Sequence, residues 1–575
     1  MVSLSESGSI GILNDAWIYN GRAKHMLVKS FSAFYALIII LFALVLELAQ
    51  VYDTDTYEKT NSNVSKEHVL AQNKAKAIEE SGNSLKNHIF GIYMYGGSLA
   101  IFFFFYIYLL FGKKANESAG LSSVSSETTL NIDQKSLEST STSLHSRHVS
   151  HNRPSAGSMF ERLGMVIFGI IGVVYYAFPL FIYAGKQNFL ALKIVQDILS
   201  IIFFFIQMHF LFCNSNLNIK SHYYLARFGF MHLVATNIWT WIRYIMIEEA
   251  HMKHEIREMI QADNIYEHKL NSTFNKLLSS PTQLTEECDG AACLMETFGD
   301  IMYTCIVEYS LICAGITFSL WRNISYTHLN EDLAYVSRKQ HIRIDCTNTT
   351  TGLFSGLAFF TATLTSTAAF YTFRLVHEGQ KAVVLFNLTD LLQYSITIFV
   401  CCYAVWKMRF FQYSDLKSVS QTNQQFLDNL LLLLGVMGEL LYSITGVVGL
   451  MGAKEFKALN ILLIITHIVR LCQVGVQSCL LYIAMQLKAP SDKGLGKRNQ
   501  PGKQLITFLI ICNISMFLMN MLETGQVGAS ESIVNFYGKY SWVVLVRSFS
   551  PLTIFFRFHS AVCFVEVWKN VYSNK

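Results

Sequence analysis

Glu47, Asp197, Glu308, Asp390 and Glu439 stand inside strongly apolar stretches of this sequence. Arg227, Arg243, Arg470, Arg547, Arg557, His209, His232, His467 and His559 share such stretches or their ends. A charge in hydrocarbon is unfavourable by several kcal/mol, so groups like these face a bundle interior or water, and they mark ion pathways and proton relays. Acids and bases are mixed here. No run of regularly spaced arginines suggests a voltage sensor, and no repeated Gly-rich loop offers a carbonyl filter. Water together with Asp, Glu, His, Asn, Gln and Tyr can pass a proton between hydrogen-bond partners. A metal cation would instead need several oxygens in place of its hydration shell. The chemistry expected of this set is proton transfer.

Helical spacing decides which of these residues share a face. His467 and Arg470 are three apart, Asp390 and Tyr394 four, Asn237 and Trp241 four, and Asn513 and Asn520 seven, so each pair lies on one stripe. Two readings of the asparagines stay open: hydrogen bonds between helices, about 0.6–2 kcal/mol each in membranes, or a pore lining. For Arg227, Arg243 and Arg547, close to the ends of apolar runs, snorkelling or a structural ion pair is the expectation. Gly352 and Gly356, four apart, would let two helices approach closely.

The elements that must carry these residues follow from composition. The chain has 575 residues, of which 52% are hydrophobic and 15% charged, with only six prolines. A soluble chain averages about 25% charged residues, and a formal charge of +5 is too small to suggest nucleic-acid binding. This is the composition of a membrane protein. About 20 apolar residues cross the hydrocarbon core as a helix. Twelve such runs are read: 26–51, 88–112, 160–184, 190–212, 222–248, 298–321, 349–374, 382–406, 424–448, 457–486, 503–523 and 541–568. The first is too long, and ends without the small-residue pattern, for a cleaved signal peptide. The loops near 213–221, 322–347, 407–423 and 487–502 hold about twelve Lys and Arg, against about half as many in the alternate loops. The first set is therefore placed in the cytoplasm, with both termini. The outside loops 52–87 and 249–297 then carry the sequons at Asn63 and Asn271. The second also carries Cys288 and Cys293, for which a disulfide is expected. Residues 113–159, rich in Ser and Thr, read as a disordered cytoplasmic linker.

The chain also contains itself twice. Glu308-Tyr309-Ser310-Leu311-Ile312-Cys313 near the end of the sixth run matches Phe558-His559-Ser560-Ala561-Val562-Cys563 in the twelfth, and Asn237-Ile238 in the fifth matches Asn513-Ile514 in the eleventh. The fold expected is an all-α polytopic membrane protein of twelve transmembrane helices in two pseudo-equivalent six-helix halves. Residues 1–25 form a cytoplasmic N-terminus, 26–324 one half, 325–348 a cytoplasmic connector and 349–575 the other half. Glu308 and His559 lie in helices that the repeat makes equivalent. A carboxylate beside an imidazole changes where the imidazole titrates, so this pair is the first candidate for a proton relay.

Four stretches give the chain its resemblance to a known family. They are His232–Asn237 with Trp241-Ile242-Arg243; Ile306–Ile312 with Trp321-Arg322-Asn323-Ile324; Cys512-Asn513-Ile514-Ser515; and Pro551-Leu552 with Phe556–Ser560 and Val567-Trp568. With the twelve spans, they make the chain similar to the otopetrins, proton-selective channels. The resemblance implies two barrel-like halves per subunit in a plasma-membrane homodimer, with lipid or sterol at the interfaces. It also implies inward proton conduction when the outside is acidic. By position it puts Glu308 and His559 between the halves, and Asn237 and Asn520 in the two half-barrels. Asp390, Glu439, His467, Arg470 and His232 join the proton pathway on intramembrane polarity alone. His251, His254 and His268 of an outside loop are candidates for pH sensing. No cofactor, structural metal or nucleic-acid partner is expected, and no catalytic constellation indicates an enzyme. The competing reading is a proton-coupled solute transporter; a receptor or scaffold is less economical with so many buried charges.

Overall fold

A computed structural model describes residues 21–61, 69–107, 149–150, 156–184, 191–219, 222–272, 290–324, 349–376, 379–413, 419–452, 458–488, 500–527, 533, 536–537 and 549–572. Among them are twelve long helices, one for each apolar run. The first half comprises α1 (Gly21–Asn61), α2 (Val69–Phe104), α3 (Met159–Ala184), α4 (Ala191–Cys213), α5 (Tyr223–Ser272) and α6 (Gly290–Asn323). The second comprises α7 (Thr350–Leu375), α8 (Gly379–Met408), α9 (Val419–Met451), α10 (Ala458–Ala484), α11 (Lys503–Val527) and α12 (Ser550–Val571). Ten carry windows long and apolar enough to span a membrane; α5 and α12 do not meet that composition. The protein is a multi-pass membrane protein.

The repeat is visible in the packing. In the first half α1 packs on α5, α5 on α6, α3 on α6 and α4, and α2 on α4. In the second, α7 packs on α11, α11 on α12, α9 on α12 and α10, and α8 on α10. Each half also carries the same small clip. Strand β1 (Val149–Ser150), before α3, pairs antiparallel with β2 (Asn218–Ile219), before α5. Strand β3 (Gln412–Tyr413), before α9, pairs with β4 (Leu487–Lys488), before α11. The halves meet where α6 touches α9, α11 and α12, and where α12 touches α3.

Side-chain size is sorted for lipid. On α1, Phe31, Phe34, Ile38, Leu41, Phe42 and Val45 are exposed, while Ala36 and Ala43 are buried. Lipid tails are as apolar as Leu, so nothing drives large apolar groups inward, and small residues let helices approach. By contrast, α12 is enclosed along most of its length, from Ser550 to Arg557 and from His559 to Phe564. That placement explains how it accommodates Arg557 and Glu566 among its apolar residues.

Several expectations need correction. Much of what reads as loops 52–87 and 249–297 is helical, because α1, α2, α5 and α6 run past their apolar segments. Helix α5 continues to Ser272 through a stretch rich in Glu, with Ala, Lys and Met, all strong helix formers. The described part of the twelfth helix begins at Ser550, with Pro551 in its first turn, where a missing N–H is harmless; residues 541–548 lie outside the described residues. The end of the segment read as a disordered linker is folded. Residues 149–150 form β1, and Ala156 and Ser158 are buried, with the Ala156 N–H donating to the Ser215 carbonyl at 2.8 Å. There Ser158 and Glu161 cap α3 reciprocally, at 2.8 and 3.1 Å. The rest of the linker, the connector 325–348, Cys288, Arg547 and both sequon loops fall outside the described residues or their described side chains.

The glycine pair read from the sequence is where α7 meets α11. A Cβ on Gly352 would collide with the main-chain oxygen of Gln504, and one on Gly356 would come 2.7 Å from Cδ1 of Ile511. A main-chain atom cannot rotate away, whereas a side-chain methyl can. Gly352→Leu is therefore expected to lower stability by about 1–3 kcal/mol, with Gly356→Ala milder. A thermal-shift comparison of the purified variants checks the order.

Candidate functional site

The interior of the second half is a connected polar network. Helix α8 puts Asp390 and Tyr394 one turn apart, and the tyrosine hydroxyl donates to Asp390 Oδ2 at 3.2 Å. Helix α9 supplies Glu439, which is fully buried and held by two arginines. Arg470 Nε of α10 is 2.6 Å from Oε2, and Arg557 Nη2 of α12 is 2.9 Å from Oε1. Both guanidinium groups also lie over the Tyr394 ring, at 5.8 and 5.2 Å. Two acids and two bases make the box neutral by formal charge. From it the hydrogen bonds continue: Arg557 Nη1 donates to Gln473 at 2.6 Å, Gln473 to Gln477 at 2.8 Å and Gln477 to Asn513 at 2.9 Å. The α10 members, Arg470, Gln473 and Gln477, follow one helical stripe.

The first half repeats the last link and sets tyrosines where the ionic box stands, while keeping Glu47 as a buried acid and Arg243 over Trp239. Gln207 of α4 donates to Asn237 of α5 at 3.0 Å, and the Asn237 amide in turn donates to the Leu233 carbonyl at 2.8 Å. Asn513 makes the same intrahelical bond to Leu509, also at 2.8 Å. The structural counterpart of Asn237 is therefore Asn513, and Asn520 lies two turns further along α11, buried on the same stripe. In place of the ionic box stand Tyr95 and Tyr176, hydroxyl to hydroxyl at 3.0 Å, with Thr240 at 3.4 Å from Tyr95. Glu47 accepts from the Trp239 indole at 2.9 Å. His232 is tied down by the Tyr35 hydroxyl at 3.0 Å and the Met94 carbonyl at 3.3 Å. Those two bonds make it a brace between α5, α1 and α2.

At the seam between the halves, the expected pairing changes. Glu308 is wholly buried on α6, and neither of its oxygens has a hydrogen-bond partner among the described residues. The carboxylate beside His559 is not Glu308 but Glu161 of α3, with His559 Nδ1 3.7 Å from Glu161 Oε1. The His559 ring stacks on Phe555, and its Nε2 lies 3.0 Å from the main-chain oxygen of Asp428. Asp428 of α9 and Glu566 of α12 are buried nearby. The sequence reading missed Glu161, Asp428, Glu566, Gln207, Gln473 and Gln477. The repeat itself held the signal for some: Glu161 and Asp428 open equivalent runs, and Gln207 and Gln477 sit in equivalent helices.

Asp390, Glu439 and Arg470 come together in the ionic box. His467, on the stripe of Arg470, packs instead near Tyr442, 5.8 Å between ring centres, and over Gly446. Arg227 does not snorkel; it is buried and donates to the Ile324 carbonyl, with His25 Nε2 at 2.9 Å. His251, His254 and His268 lie on α5 where side chains are not described, and Cys288 and Cys293 are likewise outside the described side chains.

The family model for otopetrin matches residues 160–558. The proton channel OtopLc of Drosophila melanogaster is 27% identical over 541 residues, covering 85% of this chain and 33% of that protein. The human proton channels OTOP3 and OTOP2 are each 22% identical. They cover 74% and 73% of this chain, and 76% and 84% of their own lengths. The chain spans about a third of the length of OtopLc and most of the length of these two human relatives.

Proposed function

The chain belongs to the otopetrin family, and on that premise we propose that it is a proton channel. The observation that carries the reading is Glu308: a wholly buried carboxyl on α6, the helix through which the halves meet, with neither oxygen engaged by a donor among the described residues. A buried polar group normally has a partner. A carboxyl left without one is free to exchange a proton with water and to turn between two sides. In the ionic box, by contrast, every charged group is held by an opposite charge or a tyrosine. That box positions α8, α9, α10 and α12, and Asp390, Glu439 and Arg470 act there as fixed charges. Asn237 and Asn520, on α5 and α11, brace the half-barrels, and His559 belongs to the seam with Glu308.

The finer assignments belong to the same proposal. Acid outside opens the channel, with His251, His254 and His268 as sensing groups. Both termini face the cytoplasm of a plasma-membrane protein, supported by the excess of Lys and Arg in the loops assigned there. The working unit is a homodimer with lipid or sterol against its exposed apolar helices. The test is whole-cell current while external pH is stepped down, with sodium, potassium and chloride replaced. The reversal potential is expected to move about 59 mV per pH unit, as for one charge per tenfold gradient. A reversal that ignores pH, or a current that requires an added solute, overturns the reading.

A further inference from the structure

We propose that Glu161, Asp428 and His559 form a binding site for one divalent transition-metal ion, best matched by zinc, in the seam between the two halves. One ligand atom from each residue lies within 4.8 Å of the others, and all three residues are buried. No sequence spacing discloses this set, because α3, α9 and α12 each contribute one residue.

The polar atoms are arranged as in a metal site. His559 Nε2 faces the main-chain oxygen of Asp428 at 3.0 Å. A carbonyl only accepts, so the ring proton sits on Nε2 and the Nδ1 lone pair is left facing Glu161 Oε1. A metal-binding imidazole is usually held in this way, its second nitrogen donating to a carbonyl or carboxylate. Glu161 is held likewise: Oε2 accepts from the Ser158 N–H at 2.8 Å, and Oε1 has no hydrogen-bond partner among the described residues. Asp428 Oδ1 has no donor either, and the Glu161 and Asp428 carboxyls lie within hydrogen-bonding reach of each other, as two ligands of one ion or two acids sharing a proton do. The 3.7 Å between Nδ1 and Oε1 is long for a hydrogen bond. It is close to the roughly 3.4 Å that separates two ligands held about 2.0–2.1 Å from a tetrahedral zinc.

The surrounding charges leave the position open to a cation. Arg162, the residue after Glu161, spends its guanidinium elsewhere, on the Ser215 hydroxyl at 2.9 Å and the carbonyls of Phe212 and Ser158 at 3.2 and 3.4 Å. Glu566 adds a third buried carboxylate. Its Oε2 accepts from Asn570 at 3.2 Å and its Oε1 is 3.9 Å from Lys569, so it is engaged outside the three-residue set. Cys563 Sγ lies 3.4 Å from Nε2, on the ring nitrogen that does not face the site. One imidazole with carboxylates suits zinc, whereas magnesium and calcium ask for six or more oxygens. An ion there would pin three helices across the seam.

The experiment uses the full chain, purified, stripped with chelator and titrated with zinc chloride against a chromophoric chelator, with magnesium chloride in parallel. Wild type is expected to bind one more zinc than Glu161→Gln or Asp428→Asn, or to bind it at least tenfold more tightly, and to ignore magnesium. Because a variant can fail to fold, X-ray absorption on wild type at one zinc per chain gives a second readout: nitrogen and oxygen neighbours including one imidazole, and no sulfur. Unchanged binding in both variants, sulfur in the shell, or no zinc bound overturns the assignment and leaves a cluster that holds only protons. None of these readouts measures conduction, so the site can fail while the channel reading stands, and the reverse.

Discussion

Glu439→Gln should leave little folded protein. Arg470 and Arg557 approach opposite oxygens of this one carboxylate at 2.6 and 2.9 Å, with both side chains enclosed. Without its charge, two guanidinium groups share the low-dielectric interior with Asp390 as the remaining acid of the box. Breaking a buried ion pair on one side is unfavourable by about 3–5 kcal/mol, because the remaining charge is stranded. Here two would be stranded around one position. The expected result is loss of the monodisperse peak in fluorescence-detected size exclusion after mild heating, and little protein at the surface. The double variant Glu439→Gln/Arg470→Gln removes one charge of each sign, so it should recover part of the loss. If the single variant is as stable as wild type, the ionic box is not what holds α9, α10 and α12 together.

The same substitution at Glu308 should do the opposite. Neither oxygen there makes a hydrogen bond within the described residues, so Glu308→Gln removes no protein contact and keeps the shape. Surface protein and thermal stability should stay near wild type. Proton current at a given external pH should fall at least about tenfold, or about 1.4 kcal/mol on the limiting barrier, because an amide cannot pass a proton on as a carboxyl does. Glu308→Asp, which keeps a titratable group, should retain a measurable current. Normal current in well-expressed Glu308→Gln would remove this residue from the route. Taken together, the two glutamates separate architecture from conduction with one chemical change.

The lipid-spanning helices were legible in the sequence for a simple reason. A segment in hydrocarbon must satisfy its own backbone and present apolar side chains, so composition over about 20 residues identifies it. The ends were less legible. Past the membrane boundary hydropathy is silent, while helix propensity carries α5 on to Ser272. The twofold repeat was also readable, from Ser310 and Cys313 against Ser560 and Cys563. Its consequence, the equivalent Gln207–Asn237 and Gln477–Asn513 pairs, needed the partner helices to be placed side by side.

By itself, then, the sequence determined the membrane class, the twelve helices, the two halves and part of the roster of buried titratable groups, without Glu161, Asp428 and Glu566, since each follows from local composition or from self-comparison. Only the tertiary structure decided which of those groups meet. Glu439 finds Arg470 on the next helix and Arg557 on the last, and His559 finds Glu161 across the seam rather than Glu308. The physical reason is that polar interactions act over a few ångströms, between helices whose rotation about their axes no linear spacing fixes.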